Sequence, residues 1–354
     1  MKIIVAYGSL GKIFHMKEFS DELEKLNVTV KLVHDSDYSR GFPSKRVLDW
    51  FEGDKEFKIL ISDFRPDAIF VDRQSHFAIH SINSKIPTFV LLRGHYWQEY
   101  YWAMKTMGGN LKNRLLIWFR NRITEKVFSE ATAILPICEY LEQVVKEHHP
   151  NQNTGIFFEG VNSEIWYHTK KIELEHPAVG LVQDANWWGK TKELLVLENV
   201  LEKMPDVYFY WAGDGQYREK ITEKLEKFQN FKWLGRLEYP NGVQKFLDTI
   251  DVYALITGMD LAPLTLKEAQ LMGKPVIATD VGGDKEMMVD KKTGFLVKEG
   301  DANDVIKKLS ELLENKQMAS EMGEEGAKFI KEQFNWDLVA KNFLDTIKPY
   351  VNAK

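Results

Sequence analysis

Cysteine is nearly absent. Cys138 is the single one in 354 residues, which rules out an intramolecular disulfide and fits a reducing compartment. Long apolar runs are missing too, and none approaches the ~20 residues that a membrane-spanning helix needs. The opening MKIIVAYGSL reads as a short strand rather than a signal peptide. A cytoplasmic protein is therefore expected, at most lying against the inner face of a membrane. Neither charge dominates: the net charge of −5 argues against general nucleic-acid binding. Residues 1–165 carry 21 basic and 21 acidic side chains, so the whole acidic excess lies beyond them. No internal repeat or low-complexity tract stands out.

What is present suits a soluble two-domain chain. The length allows two separate cores, and 44% hydrophobic with 28% charged residues is ordinary for globular proteins. Aromatic residues are plentiful at 12%, with ten tryptophans. The most informative stretch is Asp251 to Lys298. VYALIT (252–257) and PVIATD (275–280) read as consecutive parallel strands. Between them Pro263 suits a first helical turn and Gly273 a helix stop. Leu264, Glu268, Leu271 and Met272 then share one helical face. A carboxylate in such a stripe is costly unless paired. Asp260 lies eight residues earlier, in the loop feeding the helix. The helix start, near Leu261 and Ala262, offers unbonded N–H groups and a positive dipole end suited to a phosphate.

This stretch resembles the signature of the retaining GT-B glycosyltransferases, glycosyltransferase family 4. The shared residues are an acid, seven residues, a Glu, then A-x-x-x-G-x-P-V-I-A-T-D-x-G-G, with Glu286 and the TGFLV return strand in register. The family pattern is Glu-x7-Glu; here it is Asp260-x7-Glu268, one methylene shorter at the first acid. The resemblance implies an α/β chain with two Rossmann-like parallel-sheet domains facing an interdomain cleft. It places an acceptor-side domain at 1–166, a linker at 167–177 and a nucleotide-sugar-binding domain at 178–330. A last helix, 331–354, is expected to cross back to the first domain.

Taken in order, IIVAY (3–7) leads into Gly8-Ser9-Leu10-Gly11, a helix and VTVKLVH (28–34), a βαβ start. Its G-x-x-G turn is a weak dinucleotide signal, but Gly11 would let backbone approach a ligand. Asp35-Ser36-Asp37 matches a D-x-D metal–nucleotide motif that arises easily by chance. AIFVD (68–72) and TFVLLRG (88–94) continue the alternation. His95 follows the latter where family members carry a His near the transferred sugar; it equally suits a hydrogen bonder that anchors its loop. GIFFEGVNSEIW (155–166) resembles a family strand closing the first domain. His148 and His149 lack the further ligands a zinc site needs.

In the second half, AVGLV (178–182) has Leu181 where the family carries an Arg for the donor diphosphate. Lys190, with Lys192 a close second, matches the family's Lys. Gly213 and Asp214 resemble the donor-side glycine turn, and Arg236 is a candidate replacement cation. Trp187 and Trp188 suggest stacking on a ligand or lipid. Between Lys85 and Lys126, eight bases interleave with Trp97, Tyr100, Tyr101, Trp102, Trp118 and Phe119. That texture suits an anionic membrane surface through residues 96–126, or a core helix with snorkelling cations.

The resemblance therefore implies a retaining transferase that moves a hexose-type sugar from a nucleotide-diphosphate sugar to a glycan or lipid-linked acceptor, with no metal or other cofactor. Lys190, Asp260 and His95 take the catalytic roles. Glu268, Leu261, Ala262, Gly213, Asp214, Arg236 and Gly11 hold the donor. Two other readings stand beside it: a GT-B protein that binds sugar nucleotides without turnover, and a sugar-nucleotide epimerase.

Overall fold

The structure is a computed structural model that describes residues 1–8, 13–42, 49 and 53–351. It divides into two compact units, Met1–Gly160 with Trp336–Lys354, and Val161–Asn335.

The first unit is built on five parallel strands: β1 (Lys2–Tyr7), β2 (Thr29–His34), β3 (Ala68–Val71), β4 (Thr88–Leu92) and β5 (Ala133–Pro136), in the order β2-β1-β3-β4-β5. Ile3, Ile4, Val5 and Ala6 are all buried, as expected for a parallel sheet covered on both faces. The helix Trp336–Val351 packs on this unit. Phe343 meets Phe19 and Phe70 edge-on at 5.1 Å each, and the Trp336 indole N–H donates to Glu18 at 2.8 Å. A side chain at Gly160 would come within 2.4 Å of the Trp336 ring, so only glycine admits that contact.

Residues 155–162 do not form the expected strand. One parallel bridge, Ile134–Thr154, joins this segment to β5. Phe157 N donates to Pro136 O at 2.8 Å, but Pro136 has no N–H to return, so the ladder stops.

The second unit holds β6 (Ala178–Val182), β7 (Tyr208–Ala212), β8 (Phe231–Gly235), β9 (Val252–Leu255), β10 (Val276–Thr279) and β11 (Gly294–Val297), all parallel, in the order β11-β10-β9-β6-β7-β8. Residues 161–177 belong to this unit, although 167–177 read as a linker. Asp248 accepts from Thr169 N at 2.6 Å, Thr249 from Ile172 N at 3.0 Å, and Gln244 donates to Ile165 O at 2.7 Å. Polar residues that look linker-like in sequence thus satisfy the helix Asn241–Thr249. Leu181 is fully buried in the apolar core with Val179, Phe209 and Trp211.

The order of the second sheet positions a site. The chain winds from β6 outward in both directions, so the loops after β6 and β9 diverge at the carboxyl edge. That divergence is where open parallel sheets bind ligands.

Candidate functional site

The loop after β6 carries Lys190 on the short helix Trp188–Thr191, and the loop after β9 carries Asp260. Gly258 N donates to Lys190 O at 3.1 Å and ties the two loops together. A Cβ at Gly258 would sit 2.4 Å from Gly189 O, so this approach requires glycine. Asp260 Oδ2 forms an ion pair with the Lys190 ammonium, and Oδ1 accepts from Leu261 N at 3.0 Å. Burial is the largest single influence and would lower the Lys190 pKa, but the charge and hydrogen bond of Asp260 together with the other nearby acids raise it, keeping the ammonium charged. Lys192, the other candidate, is exposed. Leu261 and Ala262 are both buried, and the Leu261 amide is already taken by Asp260 itself.

The helix Leu264–Leu271 follows. Pro263 sits just before it, at the N-cap, and no side chain caps its first turn. Gly273, at φ +66°, ends it with its N–H on Gln270 O. The expected single apolar stripe is only part of the outcome, since every residue from Leu266 to Leu271 is buried, Lys267 and Gln270 included. The cause is a second layer, the helix Lys316–Gln333. A Cβ at its Gly323 would meet Gly273 O at 2.0 Å. Glu268 is 1% exposed, and its Oε1 accepts the Tyr239 hydroxyl at 2.9 Å. Tyr239 escaped the sequence reading; its signal was a half-apolar donor just past β8.

Gly213 and Asp214 follow β7. At Gly213, φ +156°, a Cβ would lie 2.0 Å from Gln183 O, and its N–H donates to Gly235 O at 2.9 Å. Asp214 accepts from Gly215 N at 2.8 Å, and its carbonyl accepts from Ala185 N at 2.9 Å. These two residues brace the loops after β6, β7 and β8. Arg236 is 66% exposed on its side chain and pairs with Asp184 at 3.3 Å. Asp184 also adds to the field that holds the Lys190 proton. Trp188 packs against Tyr217 at 5.5 Å, which accounts for one of the paired tryptophans, while Trp187 is exposed.

One acid near the ion pair was passed over in sequence. Asp284 follows the Gly282–Gly283 turn, is 0% exposed, and its oxygens have no hydrogen-bond partner among the described residues.

In the first unit, His95 caps the helix Tyr96–Met107, with Nδ1 accepting from Gln98 N at 3.3 Å. Burial lowers its pKa, consistent with a neutral ring acting as acceptor. Arg93 beside it is held by Asp72 at 3.1 Å and Glu159 at 3.4 Å. Asp35 of the D-x-D triplet is buried and gripped by Arg73 through two bonds of 2.8 Å, so it is committed to an ion pair. Gly11 lies outside the described residues. Among the described residues, no three His, Cys, Asp or Glu side chains converge as a metal site.

The aromatic, basic stretch forms two helices, Tyr96–Met107 and Leu111–Glu130. The first buries none of its residues. On the second, Leu111, Leu115 and Trp118 share one face and are exposed, Leu111 by 73%. Arg122 lies 5.1 Å over the Trp118 ring, and Lys105 5.0 Å over Trp102. No helix among the described residues is long and apolar enough to cross a membrane.

Residues 189–329 match the family described as glycosyl transferases group 1. Trehalose synthase of Thermococcus litoralis is 33% identical over 190 residues, 51% of this chain and 46% of its own length. The sulfoquinovosyl transferase of Arabidopsis thaliana is 29% identical over 189 residues, 52% of this chain and 36% of its own. The chain thus spans less than half the length of these curated relatives. Sucrose-phosphate synthase from Thermosynechococcus elongatus superposes with a TM-score of 0.75 at 12% identity, covering 100% of both chains. HepE of Anabaena, solved in complex with UDP, gives 0.70 at 14% identity over 99% of this chain and 100% of its own. Likeness at such identities establishes the fold alone, which is GT-B, with two Rossmann-like parallel-sheet domains.

Proposed function

Because this chain belongs, through residues 189–329, to the glycosyl transferases group 1 family, we propose that it is a retaining glycosyltransferase drawing on a nucleotide-diphosphate sugar. The sugar is of hexose type and the acceptor a glycan or a lipid-linked molecule. The observation that carries the reading is the Lys190–Asp260 ion pair, set beside an uncapped helix start and the buried Glu268.

In retaining transfer the bond from C1 to the phosphate oxygen breaks, with positive charge growing on the ring and negative charge on the diphosphate. A preorganised site must meet both. Lys190 would exchange Asp260 for the diphosphate, which frees the Asp260 carboxylate to accept hydrogen bonds from sugar hydroxyls. Glu268 would likewise exchange the Tyr239 hydroxyl for the ribose hydroxyl pair. Both acids are held in place by partners that a ligand can replace, so little reorganisation is needed when donor binds. This route uses no metal and no side-chain nucleophile. HepE, which has the same fold and is solved with UDP and with UDP-glucose, favours a uridine nucleotide as the first donor to try.

The exposed apolar and basic face of Leu111–Glu130 supports a second element of the reading, peripheral contact with an anionic bilayer where a lipid-linked acceptor would reside. Cations flanking an apolar stripe complement such a surface.

A thermal-shift screen of UDP, GDP, ADP and CMP with their sugars tests the proposal, since a ligand raises apparent stability according to its affinity. A productive donor should then release nucleotide in the presence of acceptor, with the anomeric configuration kept by NMR. Binding without turnover toward any acceptor would favour a sugar-nucleotide-binding protein that has lost catalysis. Donor turnover with no acceptor would favour an epimerase.

A further inference from the structure

We propose that Asp284 is a positioning residue that governs how the Lys190–Asp260 pair meets an anion. Its proton removes one of the negative charges facing Lys190 and leaves the ammonium more open to an incoming diphosphate. The inference rests on the donor reading above.

Geometry supplies the argument. Asp284 opens the single-turn helix Asp284–Glu286, directly after Gly282 and Gly283. Gly283 N donates to Asp260 O at 3.1 Å. Gly282 has φ +52°, and a Cβ there would lie 2.0 Å from that same carbonyl. The turn is therefore clamped to the backbone of Asp260, and Asp284 is carried in behind it, fully buried. Buried polar groups nearly always find partners, yet neither oxygen of Asp284 has one among the described residues. A bare carboxylate in that position would be costly.

The charged and titratable groups around it come from each neighbouring element. They are Asp260 from the loop after β9, Lys190 from the loop after β6, Asp280 at the end of β10 and Tyr253 on β9. Burial pushes the Asp284 carboxyl well above the ordinary 3.8. The Asp260 charge pushes it further, Lys190 opposes, and Asp280 adds to the rise. With the proton in place, Asp284 adds no charge beside the Lys190–Asp260 pair. Without it the cluster gains one further negative charge, where a diphosphate would bind.

Two measurements test this on the full chain and on Asp284→Asn, which mimics the protonated acid at every pH. The first needs no ligand. A carboxyl whose folded pKa is raised keeps its proton after the unfolded chain has lost it. Wild-type stability relative to the Asn variant should therefore fall about tenfold in folding constant per pH unit above the unfolded pKa, until Asp284 ionises. Infrared difference spectra of the wild type should show the protonated carboxyl band over the same range, whether or not the variant folds. The second is UDP affinity by calorimetry from pH 5.5 to 9. Below the ionisation of Asp284 the two proteins should agree within about twofold; above it the wild type should bind about tenfold more weakly.

Parallel affinity profiles, or an Asp284 already ionised at pH 5.5, would overturn the proposal. If UDP and the other nucleoside diphosphates bind neither protein while the ligand-free difference persists, it is the donor reading that falls, and the neutral buried acid stands.

Discussion

Tyr239, which follows β8, donates its hydroxyl to Glu268 at 2.9 Å, so the buried carboxylate of the second acid is held from another loop. Tyr239→Phe removes that donor from a 1% exposed carboxylate. Urea unfolding of the ligand-free chain should show a loss of about 1–3 kcal/mol. A change of less than a few tenths would show that the bond contributes nothing to holding Glu268.

Glu268→Ala should weaken binding of the nucleotide about 10- to 100-fold, the equivalent of two hydrogen bonds to ribose hydroxyls. Calorimetry with UDP and with uracil-free pyrophosphate separates the outcomes, since the second ligand has no ribose. Unchanged UDP affinity would remove Glu268 from the donor site.

At the ion pair the two partners should fail differently. Lys190→Gln should cost about tenfold or more in diphosphate affinity, as expected for losing one charge-assisted hydrogen bond. Asp260→Asn should lower kcat by about tenfold or more while leaving the donor Kd within about threefold, because its proposed role is to orient the sugar. Equal losses in kcat and Kd at Asp260 would count against that role.

On the Leu111–Glu130 helix, Arg120 and Arg122 are exposed. Reversing both charges should weaken binding to vesicles of phosphatidylglycerol by about 30-fold or more, at ~1 kcal/mol for each cation near the surface. Binding to purely zwitterionic vesicles should be weak for both proteins. Sedimentation that does not respond to the reversal would exclude this face as the bilayer contact.

Gly213→Ala should destabilise the second unit by about 2 kcal/mol or more, since its Cβ would press within 2.0 Å of Gln183 O at a φ that side chains rarely adopt. A midpoint of thermal unfolding that matches the wild type would show that the loop yields freely.

Local chemistry decided much of this protein in advance. Continuous apolar runs such as IIVA and AIFV, short and bounded by polar residues, read as strands buried on both faces, and the spacing of Pro263, Glu268 and Gly273 outlines a helix before any contact is known. The same spacing singled out Asp260 and Glu268 as candidates, while Lys190 entered through the family resemblance. What no spacing reveals is partnership across distance. Lys190 meets Asp260 over 70 residues and Tyr239 reaches Glu268 over 29, because the diverging loops of a parallel sheet bring together segments that the chain keeps apart. Asp284 is the sharpest case: in sequence it is an ordinary acid in a polar turn, and only burial behind Asp260, which takes water away from a charge, makes its proton a property of the site.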